Sequence, residues 1–319
     1  MKILMFGRGT ISLLYGWALE KAGNQVEFYV RPGRAAQYGP AVHMAIRDGR
    51  AGRKGLPVNE RWPVVMRDKL TAPHDYDLII LSVNHYQLDG AVQFLAPRVG
   101  NATVLVFNNV WTDPAAAVSP LPADQVVWGF PGGGGGVTGD TLRGGVVKTV
   151  FLGFCDDSNR TQRYQEVRGM FRRAGFSVSE QRDFRSWLWF HFILDAGLLS
   201  QAIKSGGYSR MIQSREDIKE SVLLMREMVP LLKAKGGTPR LGATLVSRAP
   251  AYLLSHLMQR FLRAEHMYSF IMDQVEITGH GSLESMAAYP RDVLADARRI
   301  GVPLPRLAAL ESLFREAAR

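Results

Sequence analysis

Cysteine is nearly missing from this chain, and acidic residues are in short supply. Its 319 residues include 39 lysines and arginines against 29 aspartates and glutamates, a formal net charge of +10. The lone cysteine is Cys155. No intrachain disulfide and no multi-cysteine metal site can form, which points to a reducing compartment and a cytoplasmic location. Long apolar runs are scarce too. Lys2 is followed by only four apolar residues before Gly7, too few for a signal peptide. The most apolar later stretch, "SWLWFHFILDAGLLSQAI", carries His191 and Asp195 and reads as a buried helix rather than a membrane span. The arginines are scattered, with no dense basic run and no recognised nucleic-acid motif. The positive balance therefore fits a small polyanion better than nucleic acid. There is no P-loop and no GxSxG elbow. His43, His74, His85, His256, His266 and His280 follow no metal-ligand spacing, so no metal is expected.

What is present is an alternation of strands and helices up to about residue 183. "KILMF", "QVEFYV", "DYDLIILSV" and "ATVLVF" read as buried strands. Helical spacing lies between them at residues 10–22 and in "YQLDGAVQFLA". Such alternation predicts a parallel sheet with helices on both faces. "GGVVKTVFLG" predicts a strand in a more antiparallel part of the sheet, followed by a helix over "TQRYQEVRGMFRRAG" and a strand over "FSVSEQ". From about residue 184 the strand signals fade. Residues 184–204, 215–235, 250–278, 285–299 and 305–317 fit helical spacing. The expected organisation is a Rossmann-type α/β domain over residues 1–183 and an all-helical domain over residues 184–319.

The opening "MKILMFGRGTIS" is the first candidate site. A dinucleotide cradle needs a strand, a tight glycine turn and a helix whose N-terminus faces the pyrophosphate. Gly7 makes the turn and Gly9 lets the backbone approach a phosphate. Ser12 stands where a third glycine is common. Arg8, Thr10 and Ile11 complete the expected cofactor-binding turn. At the end of the second strand an NAD site usually carries an acid for the ribose hydroxyls. Here "YVRPGR" places Arg31 and Arg34 instead. A guanidinium grips a 2′-phosphate through paired charge-assisted hydrogen bonds, so the expected coenzyme is NADPH. The plainer alternative is a pair of solvated loop arginines.

With these residues in place, the chain resembles the ketopantoate reductase family of NADPH-dependent 2-oxo acid reductases. "LSVNHYQLDGAV" is similar to the family segment after the fourth strand, with Asn84 where a lysine is usual. "VLVFNNVW" resembles the strand that ends in Asn-Gly, with Asn108 matching the asparagine beside nicotinamide and substrate and Asn109 replacing the glycine. "SWLWFHFILDAGLLSQAI" resembles the family's Trp-x-Lys helix. His191 stands at the lysine position and Asp195 at that of an asparagine one turn on. "YSFIMDQ" is similar to the Ser-x-x-x-Asp segment, giving Ser269 and Asp273, and Glu284 matches the family glutamate across a small insertion. The resemblance implies a helical domain like the C-terminal domain of 6-phosphogluconate dehydrogenase. It also implies hydride transfer in a cleft where the two domains meet. Catalysis would fall to Asn108, His191, Asp195 and Glu284, cofactor contacts would include Asn84 and Asn108, and Ser200 and Ser269 would touch substrate.

Reduction of a carbonyl leaves negative charge on oxygen, which needs a proton or an electrostatic partner. A histidine can serve, although its reference pKa of about 6.5 leaves it partly charged at neutral pH. His191 and Asp195 are four apart and share a helix face. They form a candidate His–Asp acid, or else His191 is an inert histidine among Trp187, Trp189 and Phe192. Asp195 would repel a substrate carboxylate unless His191 neutralises it, and an imine substrate of the opine type is the alternative. A third reading is a catalytically silent NADPH sensor. The run Gly132 to Gly136 reads either as bare backbone beneath the nicotinamide or as a loose surface hairpin. Trp111 and Trp128 read as core before aromatic walls. A homodimer through the helical domain is left open.

Overall fold

The computed structural model describes residues 1–155, 161–279 and 282–317. Twelve strands and fourteen α-helices are found among them. The strands are β1 (Lys2–Phe6), β2 (Gln25–Tyr29), β3 (Ala41–Gly49), β4 (Leu56–Pro63), β5 (Val65–Arg67) and β6 (Leu78–Leu81). They continue as β7 (Thr103–Phe107), β8 (Val126–Phe130), β9 (Gly133–Thr138), β10 (Thr141–Val147), β11 (Thr149–Gly153) and β12 (Ser177–Gln181). The helices are α1 (Thr10–Glu20), α2 (Arg34–Tyr38), α3 (Leu88–Leu95), α4 (Pro114–Ala117), α5 (Gln162–Arg173), α6 (Phe184–Ser205) and α7 (Tyr208–Gln213). After these come α8 (Arg215–Ala234), α9 (Leu241–Arg248), α10 (Ala251–Arg263), α11 (Met267–Thr278), α12 (Leu283–Ile300), α13 (Pro305–Ala308) and α14 (Glu311–Glu316). They fall into two compact units: Met1–Phe184 with His266–Thr278, and Arg185–Glu265 with Gly279–Arg319. The segment of α11 thus belongs to the first unit, although helices of the second precede and follow it.

In the first unit, near-continuous apolar runs form the centre of an eight-stranded sheet. β6 and β7 are buried at every residue, as strands covered on both faces must be. The order is β12-β11-β8-β7-β6-β1-β2-β5. The six strands from β8 to β5 are mutually parallel. Their connection pattern is that of the doubly wound fold, with the order of connections reversing between β1 and β6. β11 then runs antiparallel to β8; "GGVVKTVFLG", expected as one strand, is divided at Lys148 between β10 of the second sheet and β11.

A second, four-stranded sheet has the order β4-β3-β10-β9. It is tied to α1 by a reciprocal pair of bonds: Trp17 donates to Glu60 and Trp62 donates to Glu20, both at 2.6 Å. Trp17, with help from Lys21, holds the Glu60 carboxyl below its usual range. The run Gly132 to Gly136 is neither an open floor nor a loose hairpin. Gly133–Thr138 is strand β9, paired antiparallel with β10. A Cβ on Gly133 would lie 3.6 Å from Leu14 of α1, whereas one on Gly134 would strike Ile271 of α11 at 2.7 Å. Successive strand residues face opposite sides, so α1 and α11 close on the two faces of β9 where its four glycines have no side chains to separate them. Trp111 and Trp128 are buried.

In the second unit α6 and α8 approach closely at Gly197, where a Cβ would meet Met225 at 2.6 Å. Phe192 packs on Tyr289 of α12 with ring centroids 4.5 Å apart. Lys235, just past α8, lies over the Trp189 ring and pairs with Asp296 of α12. Residues 250–278 form two helices rather than one, because the chain breaks at His266. The His266 amide donates to Ser269 Oγ, and the Ser269 amide donates to His266 Nδ1. This reciprocal cap starts α11 anew. No helix among the described residues is long and apolar enough to cross a membrane.

Two predictions come from these contacts. Gly135 has φ +138°, and a Cβ there would lie 2.0 Å from the Arg143 carbonyl oxygen. Gly135→Ala should destabilise the first unit by about 2 kcal/mol or more, read as a lowered urea midpoint. Glu27, buried in β2, accepts bonds from Arg67 at 2.9 and 3.1 Å and from the Tyr76 hydroxyl at 2.6 Å. Arg67 above all pulls its carboxyl from 4.5 down to about 2. The folded value lies below the unfolded one, so the stabilisation is complete above about pH 4.5 and lost as pH falls towards about 2. Arg67 is half-exposed, which limits the contribution to about 2 kcal/mol at neutral pH. Glu27→Gln should flatten the stability profile across that acid window; an unchanged profile would remove Glu27 as its source.

Candidate functional site

The glycine turn follows β1 directly. Gly7 has φ +100°, a region that glycine enters without strain, and its amide donates to the Tyr29 carbonyl at 2.9 Å. Gly9 is the N-cap of α1 and provides no side-chain cap. The first turn of α1 contains no acid, so its positive end is not neutralised from within the helix. A Cβ at Gly7 or Gly9 would meet nothing within 4 Å. The backbone is thus bare where a phosphate would have to approach, and the residues present fit a dinucleotide.

The neighbouring residues divide into those that face outward and those that fasten the turn. Ser12 is completely buried, its Oγ 2.9 Å from that of Ser82 just beyond β6. It therefore joins α1 to the sheet rather than lining the cradle. Close helix–strand packing is supplied one turn later by Gly16, where a Cβ would strike Phe28 of β2 at 2.7 Å. Thr10 is buried, its Oγ1 donating to the Gly135 carbonyl at 3.5 Å; Ile11 is half-buried and packs against the core. Arg31 is exposed at the end of β2, and its carbonyl accepts the Arg34 amide at 3.0 Å. Arg34 donates to Gln37 at 2.7 Å. Arg8 is buried, and its guanidinium lies 4.7 Å over the Tyr38 ring. Neither Tyr38 nor Ser82 stood out in the sequence, because neither lies within the glycine motif.

Asn84 and Asn108 follow β6 and β7, the next strands along the same sheet edge. Asn84 is exposed and donates to the Tyr86 hydroxyl at 2.8 Å. Asn108 is buried, and its Nδ2 donates to the Val83 carbonyl. Its Oδ1 is buried without a hydrogen-bond partner, an acceptor still available for an amide or hydroxyl donor. Ser269 belongs to the first unit and is engaged with His266, whose carbonyl accepts its Oγ at 2.9 Å. Asp273, one turn along α11, is exposed.

In the second unit α6 presents His191 and Asp195 on one face. His191 Nε2 lies 3.6 Å from Asp195 Oδ2, and both side chains are partly exposed. Trp187 stacks on the imidazole at 5.2 Å with planes 9° apart. This third member was readable, since it lies one turn before His191. Ser200 is completely buried and donates to the Ala196 carbonyl at 2.6 Å, so its hydroxyl closes the helix and is not presented to a ligand. Glu284 is exposed in the first turn of α12, after the N-cap Ser282. Among the described residues no group of three or more His, Cys, Asp or Glu side chains is placed to hold a metal ion; His280 lies outside the described residues.

Strand order, switch point and open glycine turn define the first unit as a dinucleotide-binding domain of the doubly wound class. Residues 3–141 match the family described as ketopantoate reductase PanE/ApbA. Three solved structures share the fold of the whole chain. A 2-dehydropantoate 2-reductase from Geobacter metallireducens GS-15 is 18% identical with a TM-score of 0.73, over 99% of this chain and 100% of that one. D-mandelate dehydrogenase, solved with NADH and anilino(oxo)acetate, is 14% identical with a TM-score of 0.71, over 100% and 98%. A dimeric ketopantoate reductase from Staphylococcus aureus is 12% identical with a TM-score of 0.67, over 100% of both chains. A comparison with curated proteins gives no match.

The open space at Gly9 yields a clean test. Its backbone, at φ −77° and ψ 174°, suits any residue. Gly9→Val should cost about 1 kcal/mol or less in stability and abolish dinucleotide binding by filling the cradle. Calorimetry showing undiminished NADPH or NADH affinity would mean that no phosphate rests there.

Proposed function

We propose that this protein is an NADPH-dependent reductase of a 2-oxo acid or a related ketone, acting in the cytoplasm. The observation that carries the reading is the bare glycine turn at the switch point of the parallel sheet, backed by arginines in the place of the usual ribose-binding acid. Gly7, Gly9 and the N-terminus of α1 would hold the pyrophosphate, Arg31 the 2′-phosphate, and Asn108 the nicotinamide or the substrate carbonyl. The coenzyme supplies a hydride when bound. The protein must then supply a proton to the carbonyl oxygen as charge develops on it. His191 is the proposed donor, with Asp195 and the Trp187 ring fixing the plane of the imidazole. The proposed contacts of Glu284 and Ser269 with substrate rest on the family resemblance.

The proximity of His191 to Asp195 supports a ketone over an imine. A carboxylate already beside an imidazole needs no substrate amine to balance it. The dimeric state named for the Staphylococcus aureus structure supports a homodimer here as well.

NADPH consumption across a panel of 2-oxo acids and ketones, with and without added amines, tests the reading. Turnover without amine is expected. His191→Ala should lower kcat about a hundredfold or more and leave NADPH affinity unchanged. A kcat within twofold of the parent would relieve His191 of the role, and turnover only with amine would favour the imine reading. Tight NADPH binding with no turnover anywhere would leave a sensor.

A further inference from the structure

Arg8, the residue between the two glycines of the turn, is only 9% exposed. Its Nε and Nη2 are buried without a hydrogen-bond partner. Burial pulls its pKa down, opposed by Tyr38 and, at longer range, by Asp140. A guanidinium cannot shed its charge at neutral pH, so it sits in the fold as a cation short of a counter-ion. Its position is set by Tyr38, the last residue of α2, whose ring it covers. That helix lies in the segment after β2, which also contains Arg31 and Arg34. Arg8 thus meets the segment after β2, the one that in this fold class lies beside the adenosine ribose of a dinucleotide.

Resting on the nucleotide reading above, we propose that Arg8 is the inner anchor for the coenzyme's 2′-phosphate and the main determinant of NADPH over NADH. A phosphate dianion supplies the acceptors that Nε and Nη2 lack, through the paired geometry a guanidinium offers. Exposed Arg31 and Arg34 contribute to the same field from solvent, where screening weakens them. The element that must give way is α2. It buries none of its own side chains and is bounded by Gly33 and Gly39, at φ +78° and +71°. Such a segment shifts at small cost. Tyr38 then acts as a cover that the phosphate displaces.

Calorimetry on the full-length protein tests this with four probes: NADPH, NADH, 2′,5′-ADP and 5′-AMP. Arg8→Gln should weaken NADPH and 2′,5′-ADP about ten- to a hundredfold and leave NADH and 5′-AMP within about threefold. Arg31→Gln should have the smaller effect of the two. Equal losses for NADPH and NADH would overturn the proposal and assign Arg8 to the pyrophosphate or to the fold. Should Arg8→Gln fail to fold, Arg8→Lys keeps the charge and removes the fork. An intermediate preference is expected from it, and an unchanged preference would overturn the proposal. Amides 34–39 should change their hydrogen-exchange rate on adding 2′,5′-ADP, and identical rates would count against Tyr38 as a cover. If the parent protein bound neither coenzyme, the nucleotide reading itself would fail, whatever the variants did.

Discussion

The approach of α1 to strand β9 is the constraint on which the first unit depends. The Tyr15 hydroxyl accepts the Gly132 amide at 2.8 Å and donates to the Gly132 carbonyl at 3.2 Å. Burial drives this phenol's pKa upward, so it stays a neutral donor and acceptor. Leu14 and Thr10 of the same helix reach β9 at Gly133 and Gly135. A side chain at Gly134 would strike Ile271 of α11, and one longer than a methyl at Gly133 would press on Leu14 and push α1 outward. The N-terminus of α1 would move with it, and so would the glycine turn. The glycines far along the chain and the two near its start are therefore parts of one device. The later run sets the position of the helix whose end the earlier pair leaves open.

The same logic explains what could be read in advance. β1, β2, β6 and β7 announce themselves because strands buried on both faces must be almost wholly apolar. Strand β9 does not, because its four leading glycines show no pattern of side chains. Residues 41–67 were missed for a different reason. Val42, Met44 and Ile46 alternate inward along β3, a signal that was present. Its partner β4 buries only Trp62 and otherwise reads as a polar loop. The break at His266 escaped because it involves neither glycine nor proline. A histidine and a serine cap each other there, and only the local geometry reveals it. Ser12 and Ser200 are two small hydroxyl residues that the fold turns inward, which motif position alone does not reveal.

Charge is placed by the same rules. β2 does contain an acid, but Glu27 is in its middle and is taken up by Arg67 and Tyr76. It stabilises the sheet edge and is not available to a ribose. At the strand's end, where an acid would select the unphosphorylated coenzyme, Arg31 is exposed instead. The contrast is one of register: strand side chains alternate between faces, and only a residue past the last rung projects beyond the sheet edge. Arg8 reaches that corner from the neighbouring strand. In the proposed complex both routes would add positive charge at the one place where NADP and NAD differ.

His191 and Asp195 alter the helical unit in a coupled way. A lysine brings a permanent charge on a flexible stem, and a neutral asparagine beside it leaves that charge unopposed. The imidazole–carboxylate pair carries little net charge when the ring is protonated and one negative charge when it is not. Such a site has a weaker hold on a substrate carboxylate and a better-defined proton. Trp187 stacks on its ring and Asp195 lies 3.6 Å from its Nε2, so the imidazole is oriented by its own helix. Lys235 cannot restore the missing fixed charge, since it is committed to Asp296 beneath Trp189. In the proposed reductase the pair would favour substrates whose affinity does not depend on a lysine, and that is the physical argument for seeking a ketone other than ketopantoate.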